Sequence, residues 1–512
     1  MRTKSAIANS SMALVQKFLE IVLGFVFRTV LIYTLGNTYL GISGLFTNIF
    51  SLLSLMELGV GASIVYLIYK PLNDKDYETL KSFLNVYSKF YTIVGLLIGI
   101  IGIILIPFLP SIIKDYNSIN INLIPIYLLT LGNVVFSYFL AHRRSLLDAD
   151  QKAYINSFNF SLFNIIGTIF RVVILLTIKN YNLTLLITLI ITIISNLVVY
   201  YQTNKIYPFL KEGKCKKLPK EKVKELISRM GASTMHQLGN IVVTSTDNII
   251  ISAVIGVIVV GKYSNYTMMT NLIYTTFSLI FVSITANIGN MKLVETENKS
   301  KEVFNKLQFL NFALYFIACT SFYALVNNLI ILWIGKEYLL SKLTVFVITI
   351  SLYIMGMRHN VVSFLNSSGL NYNTRYKAIV EAVLNLVISL ILAKYIGIVG
   401  IILGTIISFV VVSVWFEPFI LFKHWFKEGL IKYYFEYIGY FILTVLSMLG
   451  FDYIINSFNC SKFLYLIFEG ILGVSFSLIL LILIFGRTEN FKYYLEMIKN
   501  MCNKIIGKVV RK

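Results

Sequence analysis

Ser11-Met-Ala-Leu-Val-Gln-Lys17-Phe-Leu-Glu20-Ile-Val-Leu-Gly24-Phe-Val-Phe-Arg28-Thr-Val-Leu-Ile-Tyr-Thr-Leu35 is long and apolar enough to cross a bilayer as a helix, yet it carries three charges. At about 100° per residue, Gly24 and Arg28 fall roughly 20° to either side of Lys17, and Glu20 sits about 60° to one side. The charges therefore form one stripe on an otherwise Leu, Ile, Val and Phe surface. A charge facing lipid is costly, whereas one facing a protein-lined polar cavity is tolerated. Two readings fit. Either the stripe lines a cavity, or Lys17 and Glu20 pair locally while Arg28 snorkels to an interface.

The recurrence of the pattern favours the cavity. At a shift of 220 residues, Lys17, Glu20, Gly24 and Arg28 fall on Gln237, Asn240, Thr244 and Asn248, again a polar stripe, with Asp247 beside it. Gly36 and Gly41 fall on Gly256 and Gly261. At a shift of 218, Ser145-Leu-Leu-Asp148-Ala-Asp150-Gln lies over Ser363-Phe-Leu-Asn366-Ser-Ser368-Gly. Duplication at nearly constant spacing is a plan used by transporters, with the substrate site between the repeats.

The composition sets the class. Of 512 residues 57% are hydrophobic and only 13% charged, with a mean hydropathy of +0.77. That describes an all-α, polytopic membrane protein and excludes an ordinary soluble domain. Apolar runs broken by Gly, Pro, Asn or charge give about fourteen transmembrane helices. The least certain boundary lies at Gly397, between the eleventh and twelfth. The polar lead Met1 to Ser11 has no small-residue cleavage site and is expected to be retained. Cys215, Cys319, Cys460 and Cys502 have neither disulfide-framework nor metal spacing.

The expected organisation is two pseudo-symmetric six-helix lobes plus two further helices. Residues 1–211 form a first lobe, 212–229 a basic inter-lobe loop, 230–425 a second lobe, 426–486 the extra helix pair, and 487–512 a basic amphipathic tail. In the tail, Phe491, Tyr494, Leu495, Ile498 and Met501 recur at helical spacing with Lys between them, as in an interfacial helix.

The net charge of +21 tests the topology. In a soluble protein it would suggest nucleic acid. Here 34 of the 45 Lys and Arg fall in alternate segments that an inside N-terminus makes cytoplasmic, and seven fall in the outer loops. That is the positive-inside bias of a multi-pass protein of a plasma membrane with both termini cytoplasmic, and no nucleic-acid partner is implied.

No catalytic constellation is visible. His142, His236, His359 and His424 have no paired-ligand spacing, there is no phosphate-cradling Gly-rich loop, and the outer loops are short. What remains is a set of ionisable residues at membrane depth: Lys17, Glu20, Arg28, Glu57, Arg171, Asp247, Arg358, Glu381 and Glu417. Arginine suits a phosphate because it stays charged and donates a planar fork of hydrogen bonds. Arg171 has no carboxylate within four residues, so local pairing does not account for it. Asp247 can answer Arg28 when no substrate is present. Glu57 precedes Gly59 and Gly61, which loosen that helix, and Glu20 sits beside the stripe. Glu381 and Glu417 lie nearer span ends, where ordinary interfacial carboxylates are found.

One stretch resembles a known family. Leu35-Gly-Asn-Thr-Tyr-Leu-Gly-Ile-Ser-Gly-Leu-Phe-Thr-Asn-Ile-Phe-Ser-Leu-Leu-Ser-Leu-Met-Glu-Leu-Gly-Val-Gly-Ala62, running on to Tyr69-Lys-Pro-Leu72, is similar to the polysaccharide repeat-unit flippases of Gram-positive bacteria. These belong to the superfamily of multidrug (MATE) exporters and lipid II flippases. Further matches are Arg144-Ser-Leu-Leu-Asp-Ala-Asp-Gln-Lys-Ala-Tyr154, Ser245-Thr-Asp-Asn-Ile-Ile-Ile-Ser252, Leu332-Trp-Ile-Gly-Lys-Glu-Tyr338 and Asn385-Leu-Val-Ile-Ser389 through Gly397-Ile-Val-Gly-Ile-Ile-Leu-Gly-Thr405.

The resemblance implies a MATE-like two-lobed bundle that moves an undecaprenyl-pyrophosphate-linked oligosaccharide from the inner to the outer leaflet by alternating access. It further implies capsule or cell-wall polysaccharide export across a bacterial cytoplasmic membrane. On this reading Arg28, Arg171, Arg358 and Lys17 receive the pyrophosphate and sugar, and Asp247, Glu20 and Glu57 serve gating or ion coupling. No cofactor is implied beyond a coupling H+ or Na+. The partners are the bilayer and, in the same pathway, a polymerase and glycosyltransferases. Two alternatives stand beside it: a MATE-type small-molecule exporter, and a membrane glycan polymerase or ligase. The mixture of Arg and Lys with Glu and Asp favours an anionic or zwitterionic head group over organic cations, and the short outer loops argue against an enzyme.

Overall fold

The structure, a computed structural model, describes residues 2–57, 60–211, 245–370, 374, 376–456 and 463–509. Among the described residues every regular element is helical. In chain order the principal helices are α1 (Arg2–Leu35), α2 (Asn37–Leu53), α3 (Val60–Asn73), α4 (Tyr77–Leu105), α5 (Leu123–Tyr138), α6 (His142–Ala149), α7 (Ala153–Thr177) and α8 (Tyr181–Ile206). After them come α9 (Val257–Val294), α10 (Glu297–Trp333), α11 (Lys342–Met357), α12 (His359–Ser368), α13 (Lys377–Ser408), α14 (Trp415–Leu421), α15 (Leu430–Asn456), α16 (Phe463–Phe485) and α17 (Glu489–Val509). A helical run also covers 245–254. The expected basic loop 212–229, the stripe residues Gln237, Asn240 and Thr244, Cys215, Cys460 and the Glu57 side chain lie outside the described residues.

Among the described residues ten helices are long and apolar enough to cross a membrane, or eleven if the bent pair α5 and α6 forms one span. The count differs from about fourteen for local reasons. Lys377–Phe426 is one of the ten but is two helices, because Ile396 and Gly397 leave helical geometry and Gly397 takes φ +59°. The boundary expected at Gly397 is therefore real, and glycine permits it at no steric cost. The second expected span is interrupted by a 3₁₀ turn at Ser54–Glu57, leaving α2 and α3 individually short. The start of the seventh lies outside the described residues.

The internal repeat is written into the backbone. Asp76 and Thr296, 220 apart, both cap the helix that follows, accepting from the amides of Thr79 and Lys299. Gln151 and Gly369, 218 apart, both adopt left-handed φ, +56° and +73°, after α6 and α12. Each of those short helices follows a break in the chain, and the angle between α5 and α6 is 45°.

The chain forms two compact units, Met1–Ser264 with Ser389–Ile401, and Asn265–Ile388 with Ile402–Lys512. In the first, α1 lies along α7. Tyr127 of α5 joins α2 to α4: its ring meets Phe46 and Phe50 at 5.1 and 5.0 Å, and its hydroxyl donates to Gly102 O at 2.8 Å. In the second, α10 is the central helix, packed by α11, α15 and α16. An aromatic core surrounds Phe304, with Phe364, Phe422, Phe426 and Tyr433 within 6 Å. The extra pair α15 and α16 docks on α10 through polar bonds inside the apolar layer, Thr320 to Ser447 at 3.1 Å and Asn328 to Glu469 at 3.2 Å. The tail is helical, and Tyr493 of α17 stacks under Lys306 at 4.2 Å.

Candidate functional site

Two sets of charged residues stand inside the apolar layers, one in each unit.

In the first unit the two arginines come from neighbouring helices. Arg171 of α7 folds back on its own turn, Nη2 donating to Thr168 Oγ1 at 2.7 Å and Nε to Gly167 O at 3.3 Å. Its guanidinium also lies 4.6 Å from the Phe27 ring of α1, the residue before Arg28. Among the described residues no carboxylate pairs with it. Arg28 donates to Ser264 Oγ at the start of α9. The snorkelling alternative for Arg28 therefore gives way to a contact within the protein. Gly24, one turn before Arg28, has open space where a Cβ would stand.

Asp247 is buried in the helical run 245–254. It acts electrostatically on Tyr263, the neighbour of Ser264. Arg28 and Asp247 thus address adjacent residues of one turn. Lys17 and Glu20 form the i,i+3 ion pair at 3.2 Å, both side chains nearly half exposed. The stripe of α1 is thus divided: an ion pair toward its start and, further along, a guanidinium engaged with α9.

A polar latch holds the start of α1. Asn9 Nδ2 donates to Gln151 O at 3.0 Å, and Tyr154 N donates to Asn9 Oδ1 at 2.9 Å. Asp150 beside it accepts from Tyr207 Oη and pairs with Lys152, both at 2.6 Å. Burial, then the bond and charge of Asp150, push the Tyr207 hydroxyl well above its ordinary range, so it stays a donor.

In the second unit the arrangement is tighter. Arg358 occupies the break between α11 and α12. It grips Glu417 in bidentate fashion, Nε to Oε2 at 3.0 Å and Nη2 to Oε1 at 2.8 Å. Lys377, at the start of α13, donates to the same Oε1. One turn on, Glu381 accepts from Ser413. Glu381 and Glu417 are each only 2% exposed. Two basic side chains thus converge on one carboxylate, with a second carboxyl group one turn from Lys377.

The backbone delivering Glu417 and Ser413 is irregular. Phe409–Val414 is π-helical, Trp415–Leu421 is α-helical with Pro418 inside it, and Phe422–Phe426 is π-helical again. Each π segment widens the turn locally, and Ser413 and Glu417, four residues apart, lie on one face of the helix and both reach inward. Such segments concentrate at functional sites. Glu381 and Glu417 are thus core residues, and the interfacial reading left open for them does not hold. Sequence reasoning missed the cluster because its members lie 40 and 59 residues apart. The available signal was two acids, Glu381 and Glu417, and two bases, Lys377 and Arg358, in one apolar 50-residue stretch and its neighbour.

Among the described residues no group of three or more His, Cys, Asp or Glu converges as a metal site.

With this geometry in hand, solved structures supply the frame. The fold is similar to "Lipid II flippase MurJ, inward closed conformation", with TM-score 0.69 and 14% identity over 92% of this chain and 98% of that one. It is similar to the inward-facing conformation of a multidrug resistance MATE family transporter of the MOP superfamily, with TM-score 0.61 and 15% identity over 82% and 99%. A Vibrio cholerae MATE transporter, VcmN, matches with TM-score 0.52 and 15% identity over 83% and 99%. Comparison with protein-family models gives no match, and neither does comparison with curated proteins. The chain is a multi-pass membrane protein of the MurJ and MATE fold.

Proposed function

We propose that this protein is a transporter working by alternating access, and specifically a flippase for an undecaprenyl-pyrophosphate-linked oligosaccharide repeat unit in polysaccharide export. The observation that carries the reading is Arg171. It is a permanently charged guanidinium on a membrane-spanning helix, adjacent to the Arg28-bearing helix, and no carboxylate among the described residues answers it. An intramembrane charge is costly, so one left without a counter-charge is best explained by an anionic ligand. Two arginines suit a diphosphate, which offers several acceptor oxygens to planar forks. Lys17, engaged with Glu20, joins them only if that exposed pair opens. Arg358 enters the site only if Glu417 and Lys377 release it.

In this reading the residues 1–211 and 230–425 form the two moving lobes, with 426–486 as an added pair and both termini cytoplasmic. Asp247, Glu20 and Glu57 serve gating or coupling to H+ or Na+. The substrate comes from membrane glycosyltransferases and passes to a polymerase.

Deletion of the gene followed by analysis of lipid-linked intermediates tests the proposal. Complete repeat units should accumulate on the inner leaflet. Units that cross but stay unpolymerised would instead indicate a polymerase or ligase. Unchanged glycan with altered sensitivity to organic cations would indicate a small-molecule exporter.

A further inference from the structure

Within the second unit, a row of polar side chains is buried where the fold gives it too few partners. Gln308, Asn311 and Tyr315 project from α10 within about 60° of one another, along about 10 Å of its axis. Opposite them lies the break between α11 and α12, where His359 and Asn360 follow Arg358. All five side chains are less than one-tenth exposed.

The protein satisfies half of this row. Asn311 Nδ2 donates to the carbonyls of Gly356 at 3.1 Å and Met357 at 3.0 Å. Asn360 Nδ2 donates to Phe304 O at 3.1 Å and to Gln308 Oε1 at 3.0 Å. Those bonds fix the amides in place and leave their other ends directed elsewhere. Gln308 Nε2, Asn311 Oδ1, Tyr315 Oη, His359 Nε2 and Asn360 Oδ1 are buried, and no protein group answers any of them. Native proteins carry only a few such atoms per hundred residues, and here five share one seam.

The set contains a fixed donor, two fixed acceptors and two groups able to do either. No single ion of either sign suits that mixture. Water does, since it donates and accepts, and buried waters occupy sites with several otherwise unsatisfied polar groups.

We propose that the seam between α10 and the α11–α12 break binds a short chain of water molecules, and that this chain gives His359 access to protons. The imidazole is held by rings, with Tyr274 at 4.5 Å, Phe281 at 5.8 Å and Tyr315 at 5.9 Å between centroids. The titratable or charged groups facing it are Tyr274 from α9, Tyr315 from α10 and the adjoining Arg358. Behind Arg358 stand Glu417, Lys377 and Glu381. A hydronium ion arriving along the chain hands one proton to His359 Nε2 and is left as water; the reverse step returns it. The imidazolium then stands beside Arg358 and adds a positive charge next to its cluster with Glu417 and Lys377. A proton-coupled role for this step in transport rests on the proposed function; the presence of water does not, so the two fail separately.

Hydroxyl-radical footprinting by X-ray pulse, on the full chain in nanodiscs, reads bound water directly. Tyr315 and His359 should be oxidised at least tenfold faster than Phe312 and Phe316, which are as buried as Tyr315 on the same helix and lack polar atoms. Replacing Gln308 and Asn311 together by Leu should bring Tyr315 down to the rate of those phenylalanines. Rates at Tyr315 and His359 no higher than at the two phenylalanines in the unaltered protein would overturn the proposal, whatever the double variant does. Retained fast labelling in a folded double variant would overturn the assignment of the water to this seam.

Discussion

Gly41 and Gly261, 220 residues apart, pack into one another's helices reciprocally. A methyl group on Gly41 would run into the carbonyl of Val257, and one on Gly261 would run into Asn37. Residues 37 and 257 are themselves repeat equivalents. An arrangement in which i meets j′ and j meets i′ is the signature of a local two-fold axis. Asn37 Nδ2 adds a bond to Ile258 O at 2.8 Å. Backbone stands in the way in each case, Val257 O at Gly41 and, behind the Asn37 side chain, Asn37 O at Gly261, so neither position yields to a side-chain shift alone. Gly41→Ala and Gly261→Ala should each lower stability by about 1–3 kcal/mol, by similar amounts. Gly44→Ala, where the nearest atom is Val260 Cγ1 at 3.6 Å, should be nearly neutral. Thermal unfolding in detergent checks all three; a neutral Gly41→Ala would remove the close approach.

The Arg358–Glu417–Lys377 cluster predicts an asymmetric response. Glu417→Ala leaves two buried cations without their shared carboxylate and should destabilise by about 3–5 kcal/mol. Arg358→Ala leaves Glu417 still held by Lys377 and should cost less. A thermal-shift series read beside surface expression separates them, and equal effects would show that Lys377 contributes nothing.

Legibility from sequence followed the range of the interaction. The apolar runs, the stripe on α1 and the 220-residue offset are local or periodic, and Gly36, Gly41, Gly256 and Gly261 already stood in register before any helix was placed. The break at Gly397 was legible for the same reason. The buried acids were not. Glu381 and Glu417 look like span-end residues until partners distant in sequence, Ser413 for Glu381 and Arg358 with Lys377 for Glu417, enclose them, and such long-range pairing has no local residue code. Arg358 illustrates the consequence: its position in the apolar layer was evident, while its engagement by a carboxylate 59 residues away was not.

Topology rests on charge counting and has a direct check. In a background free of native cysteines, Lys179→Cys should react with a membrane-impermeant maleimide added to intact cells, and Lys299→Cys should react only after permeabilisation. The opposite pattern would invert the orientation.

Arg171 should separate function from folding. Its contacts are to its own turn and to the Phe27 ring, so Arg171→Ala should leave expression and melting temperature close to those of the unaltered protein while abolishing glycan export. Arg171→Lys should recover only part of the export, since an ammonium cannot donate a planar fork. Full export by Arg171→Ala would remove this residue from the substrate site.

The last prediction concerns Arg28 and Asp247. Arg28 donates to Ser264, and Asp247 lies near Tyr263, so both charges stand beside one turn of α9. The hydroxyl of Ser264 also donates to Gly261 O at 2.8 Å, which ties that turn to the glycine contact with α2. A phosphate arriving at Arg28 would compete with Ser264 for the guanidinium. Freeing that hydroxyl would loosen the turn and alter the surroundings of Asp247. A ligand moves a conformational equilibrium only through contacts that differ between states, and this exchange supplies such a difference. In a double-mutant cycle on export, Arg28→Ala and Asp247→Asn should therefore be non-additive by at least about 0.5–1 kcal/mol of transport free energy, roughly a two- to fivefold departure from the product of the single effects. Partial substitutions that retain measurable export, Arg28→Lys and Asp247→Glu, keep the cycle readable if the first pair is inactive. Strict additivity in a readable cycle would show that the two charges act independently, and Asp247 would then be a structural residue of its own helix.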